Sequence, residues 1–302
     1  MKPSPLLNTK FTPPPQAGSL PRPHLIDWLD KQTGQRLILI SAPPGYGKTT
    51  LLADFLAAHS GPSAWYQLEE ADSDPTVFLT YLIEAIRRAK LKKAAKLGQN
   101  AQALLDSPEA GMASQRVLTV LINELNEQVS DPFLLVLEDY HAITSPVVHQ
   151  LMDYLLENAP PTLRLIISTR ADPPLALARL RARGLLAELR ATDLRFRDNE
   201  VSELFKREAH DLSTENLSLL SEKTEGWAAG LQIVRNSLAG QNAMAAREII
   251  ASLSGSHRFV FEYLAEEVFR RQPEEKQKFL LHTAILAQMD SASCNSIAGV
   301  KN

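Results

Sequence analysis

The residues Ala42-Pro43-Pro44-Gly45-Tyr46-Gly47-Lys48-Thr49-Thr50 come directly after the apolar run Leu37-Ile38-Leu39-Ile40, and their types and order suit a polyphosphate. Glycines at positions 45 and 47 let backbone N–H groups curl inward around an anion with no Cβ in the way. Lys48 then brings a cation to the β- and γ-phosphates, and Thr49 offers a hydroxyl to Mg²⁺ at the N-terminus of the next helix. Such a loop asks for glycine at both ends; here Ala42, the smallest substitute, holds the first position, and Pro43-Pro44 stiffen the loop. Pro44, Gly45, Tyr46, Gly47, Lys48, Thr49 and Thr50 are therefore the expected nucleotide-binding residues, and Arg22, just ahead of the first helix, is counted with them.

Two further groups could complete the chemistry. Glu138-Asp139 close the apolar run Phe133 to Leu137, at the edge where open α/β sheets bind ligands. Glu138 is assigned to the Mg²⁺ shell and Asp139 to the attacking water. A capping carboxylate before the turn at Tyr140-His141 is the competing reading. Arg170 comes after Ser168-Thr169 and would point a guanidinium, whose fork matches phosphate oxygens, at a γ-phosphate; an ordinary surface arginine is the alternative.

Groups this far apart in sequence converge only if a sheet collects them. Apolar runs predict strands at Arg36–Ser41, Ala64–Leu68, Phe133–Asp139, Leu163–Thr169 and Leu185–Arg190, with helical patterns between them. That alternation means a parallel sheet covered on both faces. Leu51, Leu52, Phe55 and Leu56 place an amphipathic helix directly after the loop. From about Phe196 the strands stop and helical spacing takes over: Val201, Leu204 and Phe205, then Leu217, Leu219 and Leu220, then Phe259, Tyr263, Leu264 and Val268. Gly240-Gln241-Asn242 reads as a hinge, and a helical pattern begins at Phe279 shortly before the last residues. A longer parent protein is expected. Residues 1 to 23, with five prolines between Pro13 and Pro23, read as an extended arm over the surface, of packing value only.

The bulk numbers exclude several classes. With 302 residues the chain is long for one core. No apolar run approaches the roughly 20 residues that span a bilayer. A net charge of −3 supplies no global field for nucleic acid. Cys294 is the only cysteine, which excludes an intrachain disulfide and a cysteine-based zinc site, and no signal-like run comes after Met1-Lys2, so a cytoplasmic location is expected. His141, His149 and His257 lack metal-ligand spacing. Arg179, Arg181, Arg183, Arg190, Arg195 and Arg197 read as a solvated helix face and strand end rather than a nucleic-acid patch, and Lys90, Lys92, Lys93 and Lys96 as a helix surface. Small residues around Trp227 in Glu225-Gly226-Trp227-Ala228-Ala229-Gly230-Leu231 read as close helix packing.

Taken together, Ser41 to Thr50, Leu135-Val136-Leu137-Glu138-Asp139-Tyr140-His141, Ser168-Thr169-Arg170 and Gly226-Trp227-Ala228-Ala229-Gly230-Leu231 resemble the regulatory ATPase module of MalT-type activators, large ATP-binding relatives of LuxR within the STAND class of P-loop ATPases. The resemblance covers about residues 5 to 300 and accounts for Ala42, since this family tolerates a small residue there. It implies an α/β P-loop NTPase sheet with helices on both faces, then an all-helical domain and the start of a winged-helix domain. The expected boundaries are 1–24 for the arm, 25–196 for the nucleotide-binding domain, 197–256 for the helical domain and 257–302 for an incomplete winged helix. It implies ATP/ADP and Mg²⁺ as ligands, an ADP-bound resting form, an ATP-bound form that self-associates, and slow hydrolysis. Inducer and DNA would be contacted by regions missing from these residues, and no membrane is involved. Glu138 departs from the pair of aspartates frequent in the family, which leaves the division of roles with Asp139 open. A P-loop kinase, with Arg179 to Arg183 as a lid, and a ring-forming remodelling ATPase are the alternatives.

Overall fold

The fold was read from a computed structural model that describes residues 5–15, 19–89, 91–92, 96–107, 114–206, 212–238, 249–250, 263, 265–270, 272–286, 290–291 and 293–294. The chain divides into two compact units, 1–195 and 196–302. Gly240-Gln241-Asn242, Phe259 and Leu264 lie outside the described residues.

The first unit contains, in chain order, α1 (Pro23–Gln32), β1 (Leu37–Ser41), α2 (Lys48–Ala58), β2 (Ser63–Gln67), α3 (Pro75–Arg88), α4 (Gln99–Leu105), α5 (Ser114–Gln128), β3 (Phe133–Glu138), α6 (Pro146–Asn158), β4 (Leu163–Thr169), α7 (Leu177–Ala182), β5 (Leu186–Arg190) and α8 (Ala191–Leu194). The five strands form one sheet in the order β2-β3-β4-β1-β5, and every neighbouring pair is parallel. Every residue of β1 and β3 is buried, because strands sandwiched between two helical layers have no wet side on which to place a polar residue. Alternate residues feed the two layers. Leu37 and Leu39 pack with Leu135, Leu137 and the buried faces of α3 to α7, whereas Ile38 and Ile40 pack with Leu134, Val136, α1 and α2. Each such leucine or isoleucine, fully removed from water, contributes about 1.5–3 kcal/mol.

The predicted strands lie within one residue of those observed. One of these differences matters chemically: β3 ends at Glu138, and Asp139 leaves the strand in the left-handed region at φ 59°. An aspartate tolerates that region better than most residues with a Cβ, and the turn swings its carboxylate out of the strand's alternation.

The N-terminal arm is not the extended packing strip expected. Asn8–Phe11 form a short helical turn that buries Lys10 and Phe11. The Lys10 amine donates to Asp72 Oδ1 and Oδ2 at 2.7 and 2.6 Å and to Glu69 Oε1 at 3.0 Å, and it sits 4.3 Å from the centre of the Tyr81 ring. Tyr66 donates its hydroxyl to Asp72 at 2.8 Å, and the backbone N–H of Glu69 donates to Asp72 at 2.7 Å. Burial beside these carboxylates drives the Tyr66 phenol far above its ordinary range. A buried aspartate needs such full satisfaction, and the arm supplies the cation.

The arginine-rich stretch is solvated surface, as expected, and it is paired: Arg179 with Glu157, Arg181 with Glu188, and Arg190 with both Asp172 and Glu188. Lys92 and Lys96 are exposed but fall in turns and not on a helix, since α3 stops at Arg88.

The described part of the second unit is helical: α9 (Asp198–Lys206), α10 (Thr214–Thr224), α11 (Ala228–Leu238), then a helix over Glu274–Thr283. That last helix starts five residues before Phe279: Pro273 stands at its N-cap position, and Glu274 and Glu275 suit the positive end of its dipole. Between α10 and α11, Gly226 adopts φ 70°, and a Cβ there would lie 2.4 Å from the Phe196 carbonyl oxygen. Gly230 likewise gives room to the Trp227 ring, which makes an edge contact with Tyr263 at 5.3 Å between centres. Small residues around Trp227 therefore serve close packing.

Candidate functional site

The loop leaving β1 turns twice through conformations that favour glycine, at Gly45 (φ 79°) and Gly47 (φ 76°). Gly47 is the N-cap of α2 and brings no side-chain hydrogen bond to the helix, so the first-turn N–H groups of α2 have no capping side chain. That arrangement suits an anion. Lys48 is buried at the head of α2 and donates to the carbonyls of Ala42 at 2.7 Å and Pro43 at 3.0 Å. Burial lowers its proton affinity, the Glu138 and Asp139 charges raise it, and the Arg170 charge lowers it. The ring of Tyr46 packs on the α1–α2 side of the sheet, and Pro44 and Thr50 are half-buried.

Glu138 stands at the end of β3 with none of its surface exposed. The Thr49 hydroxyl donates to its Oε1, a hydrogen bond that joins the loop helix to the acidic strand end. Among the described residues its buried Oε2 has no hydrogen-bond partner, and neither has the Ser168 hydroxyl, although Ser168 lies close enough to favour the ionised carboxylate. Burial outweighs these aids and, with the Asp139 charge alongside, pushes Glu138 up to about 7. A buried carboxylate oxygen with no partner beside a hydroxyl is a donor set that fits a hard divalent cation, so Thr49 and Glu138 fit Mg²⁺.

The raised value carries a stability consequence with a definite sign. Glu138 ionises near 7 when folded and near its ordinary 4.5 when unfolded, so the folded state binds the extra proton. Its stabilising share is complete below pH 4.5 and is lost as pH rises to about 7, on the order of 3 kcal/mol across that window. Glu138→Gln removes this dependence. Urea midpoints measured without nucleotide or Mg²⁺ from pH 5 to 8 should therefore diverge, the variant gaining on the parent as pH rises. A constant difference between the two would contradict the burial argument.

Asp139 lies beside this pair. Gln67, the last residue of β2, donates its side-chain amide to Asp139 Oδ2 at 2.8 Å, and His141 Nδ1 stands 3.6 Å from Oδ1. Arg170 comes directly after β4 and is half-buried. Arg22 has a different set of partners: its guanidinium donates to the carbonyls of Leu194 and Arg195, both at 2.7 Å, tying the start of α1 to the end of the first unit. Lys48, Thr49, Glu138, Asp139 and Arg170 are thus brought to the C-terminal edge of the sheet. Gln67 was not legible beforehand, since nothing local to β2 says which strand it will neighbour.

Comparison with known proteins agrees with this geometry. The AAA ATPase domain model matches residues 24–168, and the MalT winged helix domain model matches residues 265–302. Among solved structures, the Aeropyrum pernix ORC1 protein in complex with DNA superposes with a TM-score of 0.50 at 12% identity, over 93% of this chain and 78% of that one, a likeness of fold alone. The sheet, the loop and these matches define a P-loop ATPase of the AAA type. More closely, the chain is 34% identical over 287 residues to the HTH-type transcriptional regulator MalT of Serratia proteamaculans, and 30% identical over 282 residues to that of Vibrio cholerae. The chain belongs to the MalT-type family. The aligned region covers 93% and 92% of this chain but only 30% of each relative's length. Among the described residues no helix is long and apolar enough to cross a membrane.

Proposed function

We propose that these residues form the nucleotide-operated switch of a signal-responsive transcriptional activator in the cytoplasm, with ADP holding a resting form and ATP permitting self-association. The observation that carries this reading is the Thr49–Glu138 hydrogen bond with Asp139 and Lys48 alongside, which gathers phosphate-binding, metal-binding and water-polarising groups at one sheet edge. The winged-helix match downstream of that edge supports a regulatory use. In this reading Lys48 leaves the Ala42 and Pro43 carbonyls for the β- and γ-phosphates, and the capless first turn of α2 donates N–H groups to the same phosphates. Thr49 and Glu138 would hold Mg²⁺, which would supply positive charge against the phosphate oxygens. Asp139 accepts a proton from water as the water oxygen bonds to the γ-phosphorus and the bond to the β–γ bridging oxygen breaks, leaving ADP and inorganic phosphate. Inducer and DNA would be read by the remaining length of such a protein.

The test is the nucleotide that co-purifies, the turnover rate, and the particle mass by light scattering. ADP retained through purification, turnover on the order of one per minute or less, and a larger particle only with a non-hydrolysable ATP analogue are expected. Turnover above roughly ten per second, the enzyme median, would favour a kinase or a remodelling ATPase instead.

Arg170 supplies a finer check. A guanidinium that meets the γ-phosphate has a partner only in the triphosphate state, so Arg170→Ala should weaken ATP by about ten- to a hundredfold and leave ADP unchanged in calorimetry. Equal losses for both nucleotides, or none, would return Arg170 to the surface reading.

A further inference from the structure

β4 stops at Thr169, so the strand ladder does not fix Arg170. The group that fixes the chain beyond it comes from two strands away. In the sheet order β4-β1-β5, Asp172 belongs to the loop that leaves β4, and Arg190 is the last residue of β5. Neighbouring strands lie about 4.8 Å apart, so β4 and β5 are separated by roughly 10 Å. The two side chains nonetheless meet: Arg190 Nη1 donates to Asp172 Oδ1, and Nη2 donates to Oδ2 at 3.2 Å. Between the two strands stands Ser41, in register with both Thr169 and Arg190. The Arg190 guanidinium, and after it the Ser41 hydroxyl, hold the Asp172 carboxyl below the usual carboxylate range. The segment from Arg170 to Asp172 is therefore drawn across the end of β1, where the phosphate-binding loop begins.

We propose that Arg190, acting through Asp172, is the positioning residue that aims Arg170 at the γ-phosphate. Arg190 is itself held firmly. Its Nη2 also donates to Glu188, two residues back on the same face of β5, and Glu188 takes Arg181 of α7 at two points, both at 2.9 Å. Its backbone N–H donates to Asp193 Oδ2 at 2.7 Å, in the first turn of α8. On the other side of Arg170, the Ala42 N–H donates to the Thr169 carbonyl at 3.2 Å, and Thr169 Oγ1 donates to the Ala171 carbonyl at 2.8 Å. Arg170 thus lies between a backbone contact to the phosphate-binding loop and a forked contact to β5. A two-point arginine–carboxylate contact fixes direction as well as distance. The Arg190 and Asp172 side chains are 36% and 50% exposed, so the pair adds little to stability and its value is geometric.

The inference rests on the reading of Arg170 as a γ-phosphate contact, and separate variants test the two. Calorimetry with ADP and with a non-hydrolysable ATP analogue is run on the parent, Arg170→Ala, Arg190→Met, Asp172→Asn and the double variant Arg170→Ala/Arg190→Met. Methionine keeps the apolar stem and loses the fork; asparagine keeps its shape but sets an amide N–H against one arm of the fork. Both should weaken the ATP analogue by about three- to tenfold, a part of the Arg170→Ala loss, and leave ADP unchanged. These variants change the net charge in opposite directions, so a field acting on the phosphates would weaken binding in one and strengthen it in the other; a shared loss marks positioning. A merely structural pair would move both nucleotides together. In the Arg170→Ala background Arg190→Met should cost nothing more, because no guanidinium is left to aim. Unchanged ATP affinity in both single variants, changes of opposite sign, equal losses for ADP and ATP, or a full further loss in the double variant overturns the proposal. Parent-like ATP affinity in Arg170→Ala instead overturns the reading of Arg170, and the proposal falls with it.

Discussion

Lys48→Ala should lose at least about a hundredfold in affinity for both ADP and ATP, an effect of roughly 3 kcal/mol or more. The ammonium is the cation that the loop itself contributes, and it already stands among the loop carbonyls at hydrogen-bond distance, so little reorganisation separates it from a bound phosphate. Alanine keeps the helix but takes away charge and reach together. Calorimetry with each nucleotide reads the loss directly. Thermal melts give an independent measure: ligand at a hundred times the parent's dissociation constant stabilises the parent by about 2.7 kcal/mol and should stabilise the variant by no more than about 0.4 kcal/mol. Retained affinity for both nucleotides would remove the loop from the site.

Asp139→Asn should slow phosphate release by about 10²- to 10⁴-fold while ATP stays bound, the range that a general base supplies. The isosteric amide still accepts a hydrogen bond, so the turn at Tyr140 and the Gln67 contact persist in shape, and the loss is confined to a place for the water proton. The variant should therefore purify with ATP where the parent purifies with ADP, and it should stay in the associated form. Glu138→Gln should act otherwise, chiefly by weakening the Mg²⁺ dependence of binding, because Glu138 is the buried partner of Thr49. Mg²⁺ titrations of both variants decide the division of labour. The opposite pattern would exchange the two roles.

Much of this site could be read before any coordinates. A glycine-bearing loop between an apolar strand and an amphipathic helix is a local signal, because backbone freedom, helix starts and two-sided burial depend on residues within a few positions of one another. The five strands, the loop, Glu138 and Arg170 belong to that class, and so does the packing around Trp227, where Gly226 and Gly230 flank a large ring. The residue-level detail of the acidic edge was not legible in this way. Sequence predicts that Phe133 to Asp139 run straight, whereas the strand breaks one residue early and Asp139 turns aside.

The remaining partnerships link residues far apart along the chain: Lys10 with Asp72, Gln67 with Asp139, and Arg22 with the carbonyls of Leu194 and Arg195. A proline-rich arm carries no periodicity that could announce a buried lysine, and glutamine at a strand end is unremarkable until its neighbouring strand is known. Strand order is set by how the two helical layers cover the sheet, a cooperative outcome of contacts across the whole unit. Local pattern therefore specified which groups could bind and hydrolyse a nucleotide, and the packing of distant segments decided which of them are held in place and by which partners.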